Sequence, residues 1–483
     1  MIESTSPVTD PDYSFMAAPL PRILWVELTS KCPFDCIFCS RRLRRENGEH
    51  LDFELYRSLI SELREPEIIR LNYSGESVHY PYLIEAIKLA KSTEAETELV
   101  SAFSSASDAL IEDLILSGLD RLTISLHTML HDQFGEIYGF TTLDQMRDRI
   151  SRLIEFKQKL NSRHPQIDFA FVAMKRNLRE LLSVAAYARK IGVTSISVLP
   201  VIRRDPIPLK FDEERSSAGL KEPFKSNLRE ILQESRHRYK DVHIAVCDPA
   251  VESDNFLDFL PKGFPGRLPE NARIRSCDQN PWETLHVLAD GHVVLCEVQD
   301  HIPLGNLREL SLVEIWRGRA YKSVRRKYVE GALPECVTCT WKQAYRAAPL
   351  SSAIHTKDGM SPQLFTGWYE QDSYGTIWSK KEAVLVLGGA AAARNLRLQG
   401  VLPHALDGLE NTLHISCNGE DLGIIVNPTG TLLTFDTSLG PIPQPARALV
   451  LTFTVRKAFR SLLAGINKGG RDLGFALQRV ELI

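Results

Sequence analysis

The chain of 483 residues is too long for one ordinary hydrophobic core, so two or three domains are expected. Its 43% apolar and 25% charged residues fit a globular protein in water, and a net charge of −3 gives no built-in attraction to nucleic acid. No run approaches the roughly 20 apolar residues of a membrane span. The opening "MIESTSPVTDPDYSFMAAPLP" is acidic and broken by proline, without the basic-then-apolar order of a secretory signal. Residues 1–20 therefore read as a tail, and the location as cytoplasmic. Thiols stay reduced there, and an odd count of 9 cysteines points to metal or catalysis rather than pairing.

Strand and helix patterns then alternate. "RILWVEL" reads as a strand and "LDFELYRSLISEL" as a helix. "EIIRLNY" and "YLIEAIKLAKS" repeat the pair, as do "ETELVSAF" and "DALIEDLILSG". "RLTISLH" precedes the long helix "LDQMRDRISRLIEFKQKL". "IDFAFVAM", the helix "LRELLSVAAYARKIG" and "SISVLPV" bring the count to six βα-type units before residue 202. Such alternation predicts a parallel sheet with right-handed crossovers and functional groups at the C-terminal ends of its strands.

Directly after the first strand, "SKCPFDCIFCSRR" places Cys32, Cys36 and Cys39 in the spacing C-x3-C-x2-C. Structural zinc wants four ligands, and nothing nearby offers a fourth. Three thiolates on a short loop suit a [4Fe–4S] cluster with one iron left open to a non-protein ligand. With the aromatic Phe38 before the last cysteine, the stretch resembles the signature of the radical S-adenosylmethionine (SAM) family. The resemblance implies that the open iron chelates SAM, which one electron cleaves to a 5′-deoxyadenosyl radical that abstracts hydrogen from an unactivated carbon. "SGES" (Ser74–Ser77) follows the second strand and resembles the family's Gly-Gly-Glu-Pro motif, with Gly75 and Glu76 matching and Ser74 and Ser77 departing. By the same resemblance Gly75 and Glu76 hold the SAM amino group, and Ser125 and Asn177, at the ends of the fourth and fifth strands, contact its ribose or carboxylate. His127 is a candidate substrate contact, or a structural strand-end histidine. "RRLRREN" reads as a solvated helix start, or as a docking surface for an acidic flavodoxin- or ferredoxin-type reductant.

Past residue 240 the pattern changes. Cys277, Cys296 and the pair Cys336 and Cys339 flank "WETLHVLADGHVVLC", which alternates like a hairpin turning at Asp290-Gly291. "SLVEIWRGRAYKSVRRKYVEG" then reads as one helix. Four cysteines allow a zinc ribbon. Behind the first motif they resemble the SPASM/twitch extension, which implies a second, auxiliary [4Fe–4S] cluster closed by four thiolates and fit for electron transfer. Cys247, ending "DVHIAVC", is either a small buried residue or a thiol that returns hydrogen to a substrate radical.

"AAPLSSAIHTKDGMSPQ" reads as a linker. Beyond it come short strands with turns between them, such as "AVLVLGG", "NLRLQGV", "ALVLTFTV" and "FALQRVELI", the pattern of a β-sandwich. This end resembles a small module appended to bacterial enzymes of surface-polysaccharide pathways. Trp368, Tyr369 and Trp378 are either sugar-stacking or core aromatics; Cys417 reads as packing.

The expected fold is thus α/β: a partial (β/α)6 barrel over 21–245, a small cysteine-rich α+β extension over 246–345, a linker over 346–367 and a β-sandwich over 368–483. The resemblance leads to an enzyme that abstracts hydrogen from a sugar, aminocyclitol or nucleotide-sugar, oxidising an alcohol with the auxiliary cluster as electron acceptor. The alternatives are a sugar epimerase with Cys247 as hydrogen donor, a peptide-modifying SPASM-type maturase, and a non-enzymatic scaffold.

Overall fold

The computed structural model describes residues 19–39, 48–139, 142–201, 223–246, 272–277, 281–297, 300–330, 342–346, 351–359, 363–372, 374–388, 394–403, 410–417, 420–426, 432–439, 448–460 and 472–483, with Gln279, Leu333, Cys336 and Ser361. The chain divides into two compact units, Leu20–Tyr345 and one built on Arg346–Ile483.

In the first unit, strands β1 (Ile23–Val26), β2 (Ile68–Arg70), β3 (Glu96–Ser101), β4 (Arg121–Ser125), β5 (Gln166–Ala173), β6 (Ser195–Pro200) and β7 (His243–Val246) lie side by side in chain order. Each pairs parallel with the next. Helices α1 (Phe53–Glu62), α2 (Leu83–Lys91), α3 (Asp108–Leu116), α4 (His131–Tyr138), α5 (Leu143–Lys159), α6 (Glu180–Ile191) and α7 (Phe224–Arg238) fill the crossovers. The six expected units are present, with β7 as a seventh parallel strand.

Local chemistry sets the boundaries. Asp52 caps α1 by accepting from the Leu55 N–H, Thr142 and Gln145 form a reciprocal box at the start of α5, and α6 stops at Gly192 in the left-handed conformation. The strands bury Leu24, Val26, Ile69, Leu99, Ile124, Phe169 and Phe171 almost completely, and that apolar burial is the main stabilising term. A ladder of ion pairs crosses the strands: Arg70 Nε to Glu98 (2.6 Å), then Arg121 to Glu98 and Asp168.

The same sheet continues on the other side of β1. A second group comprises β8 (Ala272–Cys277), β9 (Thr284–Val287), β10 (His292–Val294), β11 (Pro303–Asn306), α8 (Leu312–Trp316), α9 (Arg319–Glu330) and β12 (Lys342–Arg346). β9 pairs parallel with β1 in the register Ile23↔Thr284, while β10 and β11 follow antiparallel. The hairpin turning at Asp290-Gly291 is present, and the first unit has a sheet of ten strands among the described residues. β8 pairs with β12 in a separate two-stranded sheet. The single helix expected over 311–331 is two. Gly318 interrupts it, with the Arg317 and Gly318 N–H groups closing the turn of α8 on Val313 and Ile315.

Among the described residues of the second unit, nine strands form one antiparallel sheet around a core that includes Leu385, Leu387, Leu398, Leu451, Phe453 and Val480. The all-β expectation holds, with the strands joined in one continuous curved sheet. Cys417 packs into that core. The segment read as a linker contributes a strand: Ala353–His355 pairs with Ala476–Leu482, and Ile354 is buried. Its Ala/Ser-rich composition conceals hydrogen bonds made to a partner more than 100 residues away.

Candidate functional site

The cysteine loop leaves the C-terminal end of β1 and is fastened at three places. At its start the Ser30 N–H donates to the Glu49 carbonyl (2.9 Å), and the Glu49 N–H donates back to Ser30 Oγ (2.8 Å). Gly48 adopts φ +57° there, and a Cβ on it would stand 2.9 Å from the Lys31 nitrogen. In the middle, the Glu76 N–H donates to the Lys31 carbonyl (2.9 Å). Gly75 approaches so closely that a Cβ would lie 1.8 Å from the Thr29 oxygen, so only glycine fits. Further on, the Asp35 and Ile37 N–H groups donate to the carbonyls of Tyr138 (2.9 Å) and Ile137 (3.0 Å) in the last turn of α4. The loop closes with the Cys39 N–H on the Cys36 carbonyl (3.0 Å).

Cys32 and Cys36 are half-buried and Cys39 is exposed. Burial pushes the Cys36 thiol up, and the neighbouring Cys39 and Cys32 push it further, so the three sulfurs share one electrostatic site. A bound metal ion would reverse that shift by favouring thiolates. No three His, Cys, Asp or Glu side chains among the described residues already stand at metal-chelating separations. The fit to an iron–sulfur cluster lies in the thiol set and in a loop held on both flanks by glycines.

Around the loop the expected SAM contacts are largely occupied by protein. Glu76, 3% exposed, accepts from Ser101 Oγ and from the Ala102 N–H (2.9 Å). Burial raises its carboxyl above the usual range, and these hydrogen bonds oppose the rise. Asn177 uses its amide fully: Oδ1 accepts from the Met174 N–H (2.7 Å), and Nδ2 donates to the carbonyls of His127 (2.8 Å) and Val172 (2.9 Å). It splices the ends of β4 and β5. The Val172 N–H donates to His127 Nδ1 (3.1 Å), which leaves the ring proton on Nε2. The His127 ring stacks on Tyr138 at 5.2 Å and meets the edge of Phe38 at 5.0 Å. Burial lowers its pKa to about 3, so it is neutral at physiological pH. The Ser125 carbonyl accepts from the Tyr138 hydroxyl (2.6 Å).

Three functional candidates escaped the sequence reading. Glu27, fully buried, accepts from Ser74 Oγ and from the Ala289 N–H (2.9 Å), tying β1 to both the SGES turn and the hairpin. Ser74 thus departs from the family's glycine to meet a carboxylate. Asn72, 8% exposed, turns an Oδ1 with no donor among the described residues at the end of β2. Tyr73, next to the SGES turn, donates its hydroxyl to the Cys296 carbonyl (3.2 Å) and so reaches the second cysteine region. An acid right after an apolar strand and before "TSKC" is the signal that could have exposed Glu27.

In the extension, Cys296 follows β10 and Cys336 follows α9; both are half-buried. Cys277 ends β8. Its side chain, together with Cys247, Cys339 and the basic stretch 41–47, lies outside the described residues. On α9, the fully buried Arg325 Nη2 and Tyr321 hydroxyl have no acceptor among the described residues. Such orphaned donors fit a site built to receive a sulfur-rich anion.

A family model described as the radical SAM superfamily matches residues 26–206, and one described as SPASM, an iron–sulfur cluster-binding domain, matches 277–340. This chain carries a radical SAM domain and a SPASM domain. The radical SAM and SPASM domains bring a SAM-binding [4Fe–4S] cluster, an auxiliary iron–sulfur cluster and SAM itself. The chain is 20% identical over 347 residues, 67% of this chain and 88% of the other, to the tungsten-containing aldehyde ferredoxin oxidoreductase cofactor-modifying protein of Pyrococcus furiosus. It is 22% identical over 306 residues, 61% of this chain and 76% of the other, to the PqqA peptide cyclase of Gluconobacter oxydans. The crystal structure of Streptococcus suis SuiB shares the fold at a TM-score of 0.50 and 13% identity, over 66% of this chain and 72% of that one. No helix among the described residues is long and apolar enough to cross a membrane.

In the second unit, Trp368 packs against the core and donates Nε1 to the Val384 carbonyl (2.8 Å), and Trp378 donates to Asp372 (3.1 Å). Tyr369 lies under Lys380.

Proposed function

We propose that this radical SAM enzyme modifies a peptide, with Cys32, Cys36 and Cys39 holding the SAM-binding cluster and Cys277, Cys296, Cys336 and Cys339 the auxiliary one. The observation that carries the substrate class is the likeness to PqqA peptide cyclases, which covers 61% and 62% of the chain in two of them. The sugar substrate favoured on motif resemblance becomes the second reading. It keeps two supports: four cysteines between residues 277 and 339 rather than the seven of a full SPASM domain, and the C-terminal resemblance to polysaccharide-pathway modules.

When bound, the cluster and SAM supply hydrogen-atom abstraction. The chain's own residues supply position. Gly75 admits the loop to the mouth of the barrel, Glu76 and Asn177 lock the strand ends that frame it, and the Phe38–His127–Tyr138 stack keeps water from its floor. In this reading His127 is a positioning residue, because its Nδ1 and its carbonyl are both engaged. Cys247 acts as hydrogen donor only if the reaction is a redox-neutral epimerisation. A flavodoxin- or ferredoxin-type reductant supplies the electron from outside the chain.

The test is anaerobic turnover of reconstituted protein with SAM and dithionite, against short peptides encoded beside its gene and against a panel of nucleotide-sugars. Peptide-dependent 5′-deoxyadenosine with a peptide product lighter by two hydrogens supports the reading. Deoxyadenosine released only with sugars overturns it in favour of the second.

A further inference from the structure

Arg325 sits midway along α9 with its side chain fully buried. Its Nε donates to the Pro281 carbonyl (2.9 Å) and its Nη1 to the Trp316 carbonyl (2.9 Å). The guanidinium lies 4.4 Å from the Trp316 ring centre and 4.8 Å from that of Tyr321. None of these partners carries a counter-charge. No carboxylate pairs with Arg325 among the described residues, and Nη2 has no acceptor. Burial lowers its pKa only to about 10, so it stays charged at neutral pH. An arginine in that position is costly unless an anion completes it.

Tyr321 stands one helical turn earlier on the same face of α9, also fully buried, with its hydroxyl equally open. Helix α9 packs on β8, the strand that ends in Cys277. Pro281 follows Cys277 by four residues, and α9 itself leads to Cys336. Two open donors therefore share a helix face in the middle of the four-cysteine segment.

We propose that Arg325, with Tyr321 beside it, is the cationic hydrogen-bonding partner of the auxiliary iron–sulfur cluster and raises that cluster's reduction potential. The inference rests on the SPASM reading of residues 277–340 and adds the residues that tune its cluster. A cluster held by thiolates is a net anion and gains a further negative charge on reduction. Its sulfurs accept N–H and O–H hydrogen bonds, and a fixed cation favours the reduced form more than the oxidised one. The planar fork of arginine holds two backbone carbonyls and aims a third donor at sulfur in one rigid plane, a direction that the freely rotating ammonium of lysine does not fix.

The experiment uses the full chain carrying Cys32→Ala, Cys36→Ala and Cys39→Ala, so that only the auxiliary cluster is assembled. Iron content is measured first, then the midpoint potential by redox titration followed by electron paramagnetic resonance. Arg325→Met should shift the midpoint to a more negative potential at unchanged iron content, and Tyr321→Phe should shift it less in the same direction. An unmoved midpoint with full iron in Arg325→Met overturns the proposal alone. If Arg325→Met fails to hold iron, Tyr321→Phe decides: a negative shift sustains the proposal, and an unmoved midpoint overturns it. Zinc in place of iron before any change to Arg325 would remove the SPASM cluster reading and the proposal with it.

Discussion

At the mouth of the barrel, Glu27, Glu76, His127 and Asn177 are buried and closed on protein. Along α9, Arg325 and Tyr321 are equally buried and left open among the described residues. The two regions solve the burial of polar groups in opposite ways. Where the hydrogen bonds are complete without a ligand, the side chains serve as scaffold, and the ligand must be met by backbone, thiols and the rare open atom such as Asn72 Oδ1. Where they are incomplete among the described residues, the acceptor in our proposal is the auxiliary cluster.

The largest effect that would sharpen this contrast is at Gly75. Gly75→Ala forces the SGES turn off the cysteine loop and should cost about 3 to 4 kcal/mol of stability in urea titrations, with loss of iron from the first site. Iron retained at wild-type level would break the link between turn and loop. Asn177→Ala should follow at about 3 kcal/mol, because three buried backbone groups lose their partner. A cost below about 1 kcal/mol would mean that the barrel mouth is less closed than its geometry.

The pH dependence comes next. His127 and His286 each have a pKa lowered by burial to about 3, against 6.5 in the unfolded chain. Between these values the unfolded state binds the extra proton. Stability should be flat in this respect above pH 6.5 and fall as pH drops below it, by about 1.4 kcal/mol per pH unit for each histidine. His127→Phe should remove one histidine's share of that slope between pH 6.5 and pH 5; an unchanged slope would show that the ring protonates in place. The smallest effect is at the seam between the regions. Tyr73→Phe deletes one hydrogen bond to Cys296 and should cost about 1 kcal/mol or less, while leaving both clusters assembled.

The barrel was legible because its strands are short apolar runs separated by helices with recognisable caps and stops, as at Thr142 and Gly192. The short α4 escaped notice. "HDQFGEIY" shows its apolar face only at Phe134, Ile137 and Tyr138, barely one turn of periodicity, yet that turn carries the carbonyls that hold Asp35 and Ile37. The cysteines proposed to hold the clusters stood out by spacing. Arg325 did not, since "SVRRKY" looks like a solvated basic helix face and only tertiary packing distinguishes the buried arginine from its exposed neighbour Arg326. The substrate class was obscure for a different reason: it depends on what reaches the barrel mouth, and no local pattern encodes that.

One pairing carries a consequence for how the molecule is made. β1 is flanked by β2 on one side and by β9 on the other, and β9 lies some 260 residues later in the chain. During synthesis the outer edge of β1 therefore waits, with its N–H and C=O groups bare, until residues 284–287 have left the ribosome. An unpaired edge of "ILWV" is an invitation to stray strands. Truncated products that stop before Thr284 should form inclusion bodies, and those that run past Val294 should be the first to stay dispersed.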